Sequence, residues 1–162
     1  MPVSPSPKRL ILIVDDDQLL LDFLGEVLGN AGYDILKASS AEQALNVIAQ
    51  REPDLALLDI HMPGMTGLEL AKQLHATSSV PFMFLSGRGD ADAGKQAASY
   101  GAVGFLVKPV DEKHLMPAFA AGLARADEIR QLRRTELNLN AALAAEETLN
   151  GLHAAFNQRL KK

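Results

Sequence analysis

The sequence predicts an α/β protein: a doubly wound, five-stranded parallel sheet with an extended helix at the C-terminal end. Four short, unbroken apolar runs recur along residues 10–107, and each stops at a polar or charged residue. Residues 10–14 stop at Asp15-Asp16, 55–58 at Asp59, 82–85 at Ser86, and 104–107 at Lys108. Runs without polar alternation mark strands covered on both faces, as in a parallel sheet between helical layers. Between the runs lie stretches with apolar residues at helical spacing, so strands and helices alternate and the crossovers are right-handed.

The elements follow in order. After the strand 10–14, Asp17 starts a helix in which Leu20, Leu21, Phe23, Leu24, Val27 and Leu28 share a face, closed by Gly29-Asn30-Ala31-Gly32. Asp34-Ile35-Leu36 is a weaker fifth strand. Ser40 with Gln43 three residues on makes a capping box, and Ala44, Leu45, Val47 and Ile48 form the buried stripe behind it. Thr66 caps a third helix carrying Leu68, Leu70, Ala71 and Leu74. The fourth helix, around residues 90–100, is rich in Ala and nearly lacks large apolar residues, so it is expected to pack least tightly. Asp111 caps the last helix, whose Leu115, Phe119 and Leu123 face the sheet; Pro117 is expected to bend its first turns. Further on, Ile129, Leu132, Leu139 and Leu143 follow rough heptad spacing. Leu149, Leu152, Phe156 and Leu160 form a second stripe after Asn150-Gly151, an expected helix stop.

Composition narrows the function classes. The 162 residues are 48% hydrophobic, ordinary for a globular chain, and contain no Cys, which excludes disulfides, thiolate metal sites and redox thiols. Residues 1–8 are Pro/Ser-rich without an apolar core, so no signal peptide is read there, and no run approaches membrane-spanning length. The expectation is a cytoplasmic protein with no membrane partner, organised as a disordered segment 1–7, a domain 8–124 and a helical tail 125–162. Residues 1–121 carry 9 Lys+Arg against 15 Asp+Glu; residues 122–162 carry 7 against 5. The tail is too mixed in sign to mark a nucleic-acid surface.

In an open α/β sheet, ligands sit beyond the carboxyl ends of the strands. That placement brings Asp15, Asp16, Asp59, Ser86 and Lys108 to one edge. Three carboxylates, a hydroxyl and an ammonium suit a divalent cation and a phosphoryl group held against an Asp nucleophile. The cation and the ammonium offset the repulsion between carboxylate and phosphoryl oxygens.

Four segments in this order resemble the receiver domains of two-component response regulators. They are residues 11–17 (Ile-Leu-Ile-Val-Asp-Asp-Asp), 57–67 (Leu-Leu-Asp-Ile-His-Met-Pro-Gly-Met-Thr-Gly), 84–87 (Phe-Leu-Ser-Gly) and 105–109 (Phe-Leu-Val-Lys-Pro). The resemblance covers about residues 8–124 and implies a flavodoxin-like sheet of order 2-1-3-4-5. It implies that Asp59 accepts a phosphoryl group, and that Asp15, Asp16, Asp59 and the backbone carbonyl of His61 hold Mg²⁺. Lys108 and Ser86 then contact the phosphoryl oxygens, and Ser86 and Phe105 report phosphorylation. His61 and Arg88 flank the group and set its lifetime, and the Lys108–Pro109 peptide is cis. The implied partner is a sensor histidine kinase or a histidine phosphotransfer protein, and the implied role is signalling rather than classical enzyme catalysis.

Two alternatives stand beside this reading. Residues 11–17 also resemble the strand-then-Asp-x-Asp opening of haloacid-dehalogenase-type phosphatases, with Asp15 as nucleophile and Asp17 as acid. Gln18 and the Pro109-Val110 that follows Lys108 depart from that pattern. The stretch from residue 110 onward partly resembles the junction and first part of an ANTAR-type RNA-binding output region. Its basic surface is thin for contacts to phosphates. The tail is therefore read as a reduced output helix that forms a coiled-coil homodimer or docks a partner, with RNA the lesser alternative and DNA not expected.

Overall fold

A five-stranded, all-parallel sheet of order β2-β1-β3-β4-β5, with helices on both sides, lies in the first of two compact units, residues 1–126. The computed structural model describes residues 6–87 and 92–161. Of the expected disordered segment 1–7, residues 1–5 lie outside the described residues. The strands are β1 (Leu10–Val14), β2 (Asp34–Ala38), β3 (Leu55–Asp59), β4 (Phe82–Ser86) and β5 (Gly104–Val107). Between them run α1 (Gln18–Asn30), α2 (Ala41–Gln50), α3 (Gly67–Thr77) and α4 (Ala93–Ser99), and α5 (Glu112–Leu160) follows.

Register fixes the working edge. Val14 pairs with Leu58, so Asp15 and Asp59 follow side by side at the ends of β1 and β3. Asp59 pairs with Leu85 and Ser86 with Val107, which places Lys108 just beyond the end of β5. Every residue of β1, β3 and β4 is buried, as expected of central strands. On one face Leu12, Val14, Leu58, Leu70, Phe82 and Phe84 form a continuous core. On the other, Met83 lies so close to Gly122 of α5 that a Cβ there would overlap its sulfur, and Phe119 meets Tyr33 edge-on at 5.1 Å.

The caps explain where the helices begin. Asp17 accepts from the amides of Leu19 and Leu20 at the start of α1. Ser40 accepts from the Gln43 amide, but Gln43 reaches back to Ser39 rather than to Ser40, so the expected reciprocal box is shifted by one residue. Thr66 and Glu69 make the full box at α3: Glu69 N–H donates to Thr66 Oγ1 at 3.2 Å, and Thr66 N–H to Glu69 Oε2 at 3.0 Å. Asp111 accepts from the His114 amide at 2.8 Å. By contrast α4 has no side-chain cap at Asp92, and its expected start at Asp90 lies outside the described residues.

Pro117 lies inside α5; the one bond lost there would have used a carbonyl in the exposed first turn, and Leu115 and Phe119 on either side are fully buried. The expected helix stop fails: α5 continues through Asn150-Gly151. A glycine costs a helix only about 1 kcal/mol relative to alanine, too little to end it among good helix formers. Residues 127–162 form the second unit, in which Leu132, Leu139, Leu152 and Phe156 are all more than half exposed. Among the described residues no helix is long and apolar enough to cross a membrane.

Candidate functional site

Four side chains meet where β1, β3 and β5 end. Asp15 and Asp59 are buried, at 0% and 4% exposure, while Asp16 is exposed; carboxylate oxygens of all three lie within 4.8 Å of one another. Lys108 reaches across from the end of β5, with Nζ 2.8 Å from Asp15 Oδ2 and 3.2 Å from Asp59 Oδ1. Its peptide bond to Pro109 is cis. The backbone holds the carboxylates in place: Asp15 Oδ1 accepts from Asp17 N–H at 2.9 Å, and Asp59 Oδ1 from His61 N–H at 3.3 Å.

The electrostatics follow from this crowding. Burial, and then the charge of Asp15, push the Asp59 carboxyl up to about 6, while Lys108 pulls in the other direction. The Lys108 ammonium is itself held above its ordinary range: burial works to lower it, but the two carboxylates outweigh that. At Asp15 Oδ2 charge and hydrogen bonding part company. It touches the Lys108 ammonium as an ion pair, yet it is buried and receives no well-aligned hydrogen bond. A buried carboxylate oxygen left in that state has capacity for a cation. Three carboxylates at this spacing are the donor set a hard, oxygen-preferring dication requires.

The remaining expected residues fall around this centre. Ser86 is buried, and its hydroxyl donates a long 3.3 Å bond to the Leu106 carbonyl. Phe105 is 43% exposed. His61 is exposed and sits two residues past Asp59. Arg88 lies outside the described residues. Asp17, the acid of the phosphatase alternative, caps α1. Sequence reasoning missed two features. One is an apolar hollow of about 380 Å³ beside Lys108, lined by Leu19, Leu20, Phe23, Pro109 and Val110 together with Asp17. An exposed Leu19 in the first turn of α1 was its only signal. The other is the close approach of Gly67 to Asp59.

Comparison with known proteins decides the family. The response regulator receiver domain matches residues 11–120. The chain belongs to the response-regulator receiver family. Receiver domains are phosphorylated on an Asp, and response regulators are signalling proteins rather than classical enzymes. This receiver is 37% identical over 120 residues to the phosphate regulon transcriptional regulatory protein PhoB of Pseudomonas aeruginosa, covering 72% of this chain and 52% of that one. It is 32% identical over 151 residues to the DNA-binding response regulator MtrA of Mycobacterium leprae, covering 92% of this chain and 67% of the relative. Among solved structures, NtrX from Brucella abortus superposes with a TM-score of 0.73 at 27% identity, over 80% of this chain and 30% of NtrX. A receiver domain protein from Clostridium thermocellum superposes at 0.67 and 27% identity, over 75% and 98%.

The chain spans about half the length of PhoB. The expectation that DNA is not a partner class is overturned, because the relatives include DNA-binding response regulators. That expectation rested on what residues 125–162 lack, whereas nearly half of PhoB lies outside the matched part. The same relatives give the RNA-binding antiterminator alternative no support.

Proposed function

We propose that Asp59 accepts a phosphoryl group from a sensor histidine kinase or histidine phosphotransfer protein, and that the phosphorylated site switches contacts made by this chain. The observation that supports this best is the convergence of Lys108 Nζ, from the end of β5, on Asp59 and Asp15 at the ends of β3 and β1. At neutral pH Asp59 is largely ionised, since its carboxyl titrates at about 6. One of its oxygens attacks phosphorus as the bond to the donor histidine nitrogen breaks; the nitrogen keeps the electron pair, and the product is an acyl phosphate. Asp15, Asp16, Asp59 and the His61 carbonyl would hold Mg²⁺, which when bound would offset the charge of the phosphoryl oxygens.

The chain's own groups then divide the work. Lys108 exchanges part of its contact with the carboxylates for the phosphoryl oxygens. Ser86 leaves its long bond to Leu106 and donates to one of those oxygens, while the half-exposed Phe105 ring turns inward to occupy the space behind it. His61, two residues past Asp59, sets how readily water reaches the group. Residues 8–124 carry this chemistry and residues 125–162 serve as an output segment. The transcriptional and DNA-binding relatives favour gene control as the downstream process. The commitment of Asp17 to capping α1 counts against the phosphatase alternative.

Acetyl phosphate with Mg²⁺ tests the assignment. The intact chain gains one phosphoryl group by mass, base-labile as an acyl phosphate is, and Asp59→Asn gains none. Stoichiometric labelling of Asp59→Asn would place the acceptor elsewhere.

A further inference from the structure

The backbone on the far side of Asp59 is held by α3. Ile60 N–H continues the sheet by donating to Leu85 O at 3.1 Å, and Gly67 N–H donates back to Ile60 O at 3.0 Å. Residues 61–66, which include His61, therefore form a loop closed at both ends on the residue after the acceptor. Gly67 is buried, and a Cβ built on it would overlap the Asp59 carbonyl oxygen, lying 2.7 Å from Asp59 C and 3.0 Å from Ile60 Cα. All three obstacles are backbone, so no flexible side-chain end can swing aside. Nor is α3 free to retreat. Leu70, Ala71 and Leu74 are buried, and the Thr66–Glu69 capping box fixes its first turn.

We propose that Gly67 is a positioning residue for the acceptor. By lacking a side chain it lets the first turn of α3 lock the Asp59–Ile60 backbone, which aims the Asp59 carboxylate at Lys108 and at the Asp15–Asp16 oxygens. The proposal rests on the acceptor reading of Asp59 and extends it to a residue that touches neither phosphoryl group nor metal. A side chain at position 67 moves the β3 end relative to β1 and β5, so it separates carboxylates that must share one cation. A bland packing glycine would instead cost stability without a selective effect on the site.

The test compares the full chain with Gly67→Ala and with Leu74→Ala, a buried substitution in the same helix. Mg²⁺ affinity is read by calorimetry, labelling rate with acetyl phosphate by mass, and amide exchange at Ile60 in metal-free protein by NMR. Gly67→Ala is expected to lose about tenfold or more in both Mg²⁺ affinity and labelling rate, with faster exchange at Ile60, since an ångström of misplacement is enough for such losses. Leu74→Ala is expected to lose stability but keep both values within about twofold. A folded Gly67→Ala with parental Mg²⁺ affinity and labelling rate overturns the proposal. If Gly67→Ala does not fold, Thr66→Ala, which loosens an exposed cap, decides. A weaker loss in the same direction supports the proposal, and unchanged Mg²⁺ affinity overturns it. A parent chain that takes no phosphoryl group defeats the acceptor reading itself, a result separate from a parent that labels alongside a Gly67→Ala that keeps pace.

Discussion

In residues 1–126, Leu12, Leu58 and Phe84 are sealed from water and two carboxylates, Asp15 and Asp59, are buried with them; in residues 127–162, Leu132, Leu139, Leu143, Leu152 and Phe156 each keep half or more of their surface exposed. Both regions are regular secondary structure, so regularity alone does not distinguish them. The difference lies in what holds each one. The sheet is held by burial, and its rigidity lets like charges be kept together at the strand ends. The tail helix is held by local propensity and hydrogen bonding, because its apolar stripes are open to solvent. Chemistry that needs charges placed to within an ångström belongs in the first setting.

The comparison breaks most easily in the core. Leu58→Ala, next to the acceptor and fully buried, is expected to cost about 2–5 kcal/mol in denaturant unfolding. A loss below about 1 kcal/mol there would mean that the sheet is not what holds the site.

The next effect is electrostatic and depends on pH. The folded Asp59 carboxyl titrates at about 6 against an ordinary value of 3.8, so between these values the folded state binds more protons than the unfolded one. Its raised value therefore contributes stability below about pH 4 that is lost as pH rises through 6, roughly 3 kcal/mol in all. Metal-free protein should be more stable near pH 5 than near pH 7, and Asp59→Asn should flatten that slope. Mg²⁺ should act in the opposite sense at pH 7, adding about 2.7 kcal/mol at a hundred times its dissociation constant. Asp16→Ala should remove most of that gain. An unchanged melting temperature with Mg²⁺ would contradict a cation site at this edge.

Lys108→Ala follows. Removing a cation that stabilises developing charge typically costs about a hundredfold in rate, and labelling by acetyl phosphate should slow by that order. The smallest effect belongs to the tail. Leu139 is 59% exposed, so Leu139→Ala should change unfolding stability by no more than about 0.5 kcal/mol and leave labelling unchanged. Together with Leu58→Ala it sets the two regions at opposite ends of one scale.

The strands were legible because buried parallel strands leave unbroken apolar runs, their order through the resemblance to receiver domains, and the edge residues because each run stops at a functional group. What escaped the sequence was contact across the chain. The Gly67–Asp59 approach joins residues eight apart through backbone alone, and a single Gly after a Thr cap looks like any helix start. Local signals also misled where they competed with continuity. Asn150-Gly151 read as a break, but one glycine does not outweigh an otherwise good helix. Partner class was the weakest inference. It was drawn from what the last forty residues lack, and the DNA-binding relatives reversed it.

Locating the phosphoryl group on the parent chain tests the account most directly. The protein is labelled with acetyl phosphate and Mg²⁺, trapped by borohydride reduction of the acyl phosphate, digested and sequenced by mass spectrometry. The account predicts a single reduced residue at Asp59, and labelling that fails when Mg²⁺ is chelated. Reduction at Asp15 with Asp59 untouched, or equal labelling without a divalent cation, would contradict it.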